Sequence, residues 1–150
     1  MGNRFVIARD NVTPTGGNDI LTYISASARR ARVVSVKVGG RGSTSAAQQL
    51  QVGRSTGGTT PGGAITPNKY DHTDQPVAIG TTATTWAAQP TLDTNFEVLN
   101  FNAVGGADRL GPFTASKGPV EARNAENISI RAPSGPTYQA MSISVVIEED

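Results

Sequence analysis

Apolar and polar residues alternate with a period of two along much of the chain, and no segment carries the 3.6-residue spacing of a convincing amphipathic helix. Residues 142–147, Ser-Ile-Ser-Val-Val-Ile, alternate and then run directly into Glu148, Glu149 and Asp150. In residues 32–38 the valines 34, 36 and 38 share one face while Ser35 and Lys37 share the other, the signature of a half-buried strand. Asn127-Ile128-Ser129-Ile130-Arg131 repeats it. Further strands are expected at residues 4–8, 20–26, 48–52, 77–86 and 137–148, with 20–26 and 32–38 forming an antiparallel pair. Residues 46–50 also fit a short helical turn, and 120–126 fit strand, turn or helical turn. Residues 95–104 are apolar on both sides, Phe96 and Val98 on one and Leu99 and Phe101 on the other. That pattern predicts a strand buried on both faces, or one covered by a neighbouring subunit.

Turn residues punctuate these runs: Pro14 with Gly16-Gly17, Gly39-Gly40-Arg41-Gly42, Lys117-Gly118-Pro119 and Pro133-Ser134-Gly135-Pro136. Residues 53–76 are rich in Gly, Thr and Pro and read as one long loop, the natural contact arm of a compact domain. The sum is an all-β chain of about eight to nine strands with little or no helix, most naturally a β-sandwich of jelly-roll-like type. Residues 1–19 read as an N-terminal arm or edge strand, and residues 20–150 as the sandwich domain.

Composition narrows the function classes. With 150 residues one core is expected. Charged residues make up 17% and the net charge is +1, so bulk electrostatics favour neither a polyanion nor a strongly basic partner. Arg29, Arg30 and Arg32 form the densest basic cluster, better suited to an acidic partner protein than to nucleic acid, because the chain lacks interleaved aromatics and further basic clusters. There is no cysteine, hence no disulfide, thiol nucleophile or thiolate metal site. No apolar run reaches the ~18 residues of a membrane-spanning helix. The opening residues lack a signal-peptide layout, so folding in a cytoplasm is expected.

Candidate chemistry is sparse. His72 is the one histidine, flanked by Asp71 and Asp74, and zinc needs three or four convergent ligands. A serine nucleophile would have only His72 as base, and no Gly-x-Ser-x-Gly surrounds any serine. Glu97, Glu121 and Glu126 lie on or near different elements with nothing linking them as an acid–base pair. The glycine-rich stretches lack a phosphate-loop lysine. No catalytic residue, cofactor or metal is therefore expected, and the function is expected to reside in the surface.

In its order of parts the chain resembles the capsid decoration, or cement, proteins of tailed-bacteriophage heads. The likeness rests on the strands at 20–26 and 31–38, the connector Ala64-Ile65-Thr66-Pro67-Asn68-Lys69-Tyr70-Asp71, and the acidic-ended segment 127–149. It implies a virion protein, often a homotrimer, assembled in the host cytoplasm and seated on the capsid surface where major capsid proteins meet. From the residues themselves, the expected protein interface is the arm with Arg4 and Phe5, the cluster Arg29, Arg30 and Arg32, and the loop end Tyr70, Asp71 and His72. The expected partners are the major capsid protein and further copies of the chain, with no nucleic acid and no membrane. The alternative is a glycan-binding jelly roll of a fibre or lectin, with Trp86 and Tyr70 as sugar-stacking rings. A third reading, the shell subunit itself, is disfavoured by the short chain.

Overall fold

The computed structural model describes residues 2–70, 76–78, 80–113 and 120–150, and among them every regular element is a strand. In chain order these are β1 (Asn3–Val12), β2 (Asp19–Ile24), β3 (Ala31–Arg41), β4 (Ala47–Thr56), β5 (Thr59–Gly62), β6 (Asn68–Lys69) and β7 (Thr81–Ala83). They continue with β8 (Thr85–Ala88), β9 (Thr91–Asn102), β10 (Val104–Leu110), β11 (Glu121–Ala122), β12 (Glu126–Arg131) and β13 (Met141–Glu149). The chain is all-β and builds a sandwich. One sheet has the order β10-β3-β13-β1-β6, with β11 also pairing β3; the second has the order β7-β2-β12-β4-β9; β5 and β8 form a separate ribbon. All pairings are antiparallel.

The core is what alternation predicts, filled by one face of each sheet. Ile7, Val36, Ile143 and Val145 of the first sheet meet Leu21, Tyr23, Leu50, Val52, Leu99, Ile128 and Ile130 of the second. Fully burying side chains of this kind stabilises by about 1.5–3 kcal/mol each before entropy is set against it.

Three expectations are corrected. Residues 20–26 and 31–38 do not pair: β2 lies between β7 and β12, while β3 lies between β13 and β10. The turn that joins them crosses from one sheet to the other, and alternation defines a strand's faces without naming its neighbours. Residues 53–76 are not a single loop. Residues 53–56 complete β4, β5 pairs β8, and β6 pairs β1 at Phe5 and Val6. The β-branched threonines suit such pairing, and Pro61 sits in a short ribbon where a missing donor is tolerated.

The third correction concerns β3. Val146 pairs Ser35 while Ile147 pairs Val33, so Val34 is the extra residue of a bulge. A bulge inverts parity, and the core-facing row is therefore Val38, Val36, then Val33 and Ala31. Val34 falls on the other face, where its carbonyl accepts a 2.8 Å bond from Phe113 N–H. The two-sided run 95–104 also divides: Leu99 and Phe101 are buried, whereas Phe96 and Val98 stand 37% exposed on β9 at the margin of the second sheet.

Candidate interaction sites: a charge row, a buried acid network and a cleft

At one end of the first sheet, register places Arg4, Glu148, Arg32 and Glu121 side by side on β1, β13, β3 and β11. Opposed residues of an antiparallel pair have their Cβ atoms about 4.5–5.5 Å apart, so alternating charge along such a row is mutually stabilising. Glu148 is only 1% exposed. Its Oε2 accepts a 3.0 Å bond from Arg4 Nε, its Oε1 one from Arg32 Nη2, and Gly2 N–H approaches Oε1 at 3.4 Å. Glu121 continues the row outward, 3.5 Å from Arg30 Nε and 2.9 Å from Arg123 Nε.

Burial pushes the Glu148 carboxyl up, but the bonds from Arg4 and Arg32 outweigh it and hold the group below the usual glutamate range. The folded state thus binds this proton less tightly than the unfolded chain does. The stability this contributes is present above the unfolded value of about 4.3 and is lost as pH falls through the folded value. Asp10 and Asp93 are shifted the same way, by the Ser142 hydroxyl and by Arg54 respectively, but both are solvated. Urea midpoints measured from neutral pH downward are expected to fall below about pH 4.5, and less steeply in Glu148→Gln than in the wild type. Parallel profiles for the two proteins would remove Glu148 as the source.

The neighbouring Glu149 turns the opposite way, into the sandwich. Its Oε1 accepts the Tyr23 hydroxyl from β2 and a 2.7 Å bond from Gly80 N–H. Burial and then the carboxylate raise the Tyr23 hydroxyl far above its ordinary value, so it stays a donor. A Cβ on Gly80 would lie 2.5 Å from Tyr23 Oη, so only glycine fits there. The terminal acids Glu148 and Glu149 are in this way engaged by the chain itself. Only Asp150 is exposed, and its N–H donates to Arg30 O at 3.0 Å.

The residues expected at an interface come together at this same end, though not all on its surface. Tyr70, 54% exposed, follows β6 and donates its N–H to Arg4 O at 3.0 Å. Arg29 and Arg30 are exposed in the turn before β3. Arg32 is buried against Glu148, and Phe5, 1% exposed, packs inside the sandwich. A side chain so placed offers no contact surface: Phe5 belongs to the same inward row of β1 as Ile7. Asp71 and His72 lie outside the described residues. Among the described residues no group of three or more acids or histidines comes together in a way that would hold a metal ion.

A second polar site was not legible in the sequence. Asp19 opens β2, and its side chain is completely buried on the face of the second sheet turned away from the core. Oδ1 accepts a 2.7 Å bond from Arg131 Nε; Oδ2 accepts bonds from Thr22 Oγ1, at 2.7 Å, and from Ser129 Oγ. Ser129 and Ser55 share a 2.6 Å hydroxyl contact, and Trp86 Nε1 donates to Thr22 Oγ1 at 2.9 Å. Arg131 Nη2 further donates to Pro90 O at 2.7 Å. Ser55 and Ser129 are sealed from solvent, so the hydroxyl–carboxylate pairing is structural. The one signal in the sequence was an acid directly after a Gly-Gly-Asn turn.

Beside this network a cleft of about 350 Å³ opens between β1, the turn after it, and β8. Arg9, Thr13, Asn18, Thr85 and Trp86 are among its walls. Tyr70 is not, so the two rings considered for sugar stacking do not share a site. Phe96, Val98 and, 49% exposed, Val104 present apolar surface on β9 and β10. No protein-family model matches the chain, and comparison with curated proteins and with solved structures gives no match either.

Proposed function

We propose that the chain is a non-enzymatic structural protein that decorates a bacteriophage capsid, bridging major capsid proteins and associating with copies of itself as a trimer. The jelly-roll form of the sandwich is part of the same proposal. The observation that carries the reading is the apolar margin of the second sheet. β9 is a 12-residue strand at the end of that sheet, and it holds Phe96 and Val98 partly in solvent. Exposed apolar side chains along a sheet margin favour a protein partner, and edge strands are commonly protected by such contact. A further copy supplies it in any closed assembly, at no loss to the core. The end of the first sheet, with exposed Arg29, Arg30 and Tyr70, offers a second, polar surface for the shell.

Many weak contacts repeated over a lattice sum to large resistance, which is the physical merit of a small bridging module. The purified protein is expected to run as a trimer in light scattering at micromolar concentration and to give ordered density on capsids stripped of accessory proteins. Phe96→Glu combined with Val98→Glu is expected to yield a folded monomer that leaves those capsids bare. Absence of ordered density with the wild-type protein at saturation sinks the decoration reading, and a wild-type monomer sinks preassembly.

A further inference from the structure

The cleft beside Trp86 is built around a cation without a carboxylate partner. β1 directs Phe5 and Ile7 into the core, and Arg9 is the next residue of that inward row, paired in register with the buried Ile143. Its guanidinium is therefore partly buried in the wall of the cleft, where Nη1 donates to Ile20 O. Among the described residues Arg9 forms no ion pair. A guanidinium has five N–H donors in a planar fork, and withdrawing one from water is unfavourable unless an anion meets it. The acid nearest in the wall, Asp19, has both oxygens committed to Arg131, Thr22 and Ser129.

The remaining walls suit hydroxyl groups. Thr13, Thr85 and Asn18 offer both donors and acceptors, and Trp86 provides an aromatic surface held in place by its bond to Thr22. The indole is packed from one side by Gly58, where a Cβ would lie 2.7 Å from Cζ3, so its orientation is set before any ligand arrives. A volume of about 350 Å³ lies at the small end of ligand clefts, which run from ~300 to 1,000 Å³. It has room for one ring with its substituents.

We propose that this cleft binds an acidic sugar, a six-membered polyhydroxylated ring bearing a carboxylate. The carboxylate is received by the unused N–H groups of Arg9, the hydroxyls by Thr13, Thr85 and Asn18, and an apolar ring face by Trp86. Such rings occur as uronic acids and as sialic acids, and the chemistry they share is what the cleft reads. The inference does not depend on the decoration reading, and either can fail without the other.

Trp86 is the single tryptophan of the chain, so its emission, excited selectively over the tyrosines, reports on this cleft alone. Glucuronate or N-acetylneuraminate is expected to produce a saturable change in Trp86 emission, with at least tenfold weaker responses to glucose, acetate and inorganic phosphate. Whichever acid binds more tightly identifies the source. Arg9→Gln is expected to abolish the preference for acidic over neutral sugar, with folding checked by circular dichroism. Because Arg9 also bonds Ile20 O, Thr13→Tyr serves as a second variant that fills the mouth and leaves Arg9 in place; it is expected to lower affinity at least tenfold. Equal binding of glucose and glucuronate, a response to simple anions as strong as to the acids, or no saturable change up to about 10 mM ligand would each overturn the proposal.

Discussion

Glu148→Gln is expected to lower the unfolding free energy by about 3–5 kcal/mol, the range seen when one partner of a buried ion pair is removed. The magnitude follows from geometry: Gln fills the same volume, but Arg32 then remains buried with no charge to meet it, and Arg4 loses the acceptor of its Nε–H. The double variant Glu148→Gln with Arg32→Met is expected to recover much of that loss, since the stranded charge is gone and well-packed apolar replacements of buried pairs are often neutral. Urea unfolding of the four proteins in the cycle measures this. A single Glu148→Gln change of under about 0.5 kcal/mol would show that the row adds nothing to stability.

Asp19→Ala is expected to be comparably severe, by about 3–5 kcal/mol, because it takes the carboxylate from Arg131 and the acceptor from the hydroxyls of Thr22 and Ser129 together. Asp19→Asn keeps an acceptor and is expected to cost about half as much. Since Trp86 bonds Thr22, which bonds Asp19, the alanine variant is also expected to shift Trp86 emission in the folded protein. The contrast is the solvated pair Arg54 with Asp93 at 2.7 Å, where Arg54→Ala is expected to change stability by no more than ~1 kcal/mol. Equal effects at the two sites would mean that burial of the network contributes nothing.

Both predictions rest on features the sequence describes poorly. Ser-Ile-Ser-Val-Val-Ile announces a strand, and β13 is that strand, but the acids after it look like a solvated end. Tertiary pairing makes them otherwise: β1 and β3 flank β13 and set an arginine on each side of Glu148, while the same alternation that exposes Ser144 turns Glu149 toward Tyr23. The arginines were recognisable as a cluster at 29–32, yet the acid that meets Arg32 lies more than a hundred residues away. Arg4, Arg30, Arg32 and Tyr70 do converge as a group, whereas Phe5 is core and Asp71 and His72 lie outside the described residues. Asp19 carried no signal beyond its place after a Gly-Gly-Asn turn, because its partners come from β2, β12 and, through Thr22, β8.

What the sequence determined by itself is the class of structure: strands with one apolar face, breaks at Gly and Pro, little or no helix, and a core built from alternating Val, Ile and Leu. These follow from a period of two, which each residue carries locally. Partner choice, the parity change at Val34, the division of residues 53–76 into β4, β5 and β6, and the fate of every charged side chain were decided by the tertiary structure. Register and burial depend on which distant strands come to lie side by side, and a carboxylate in water and one between two arginines are the same letter in a sequence.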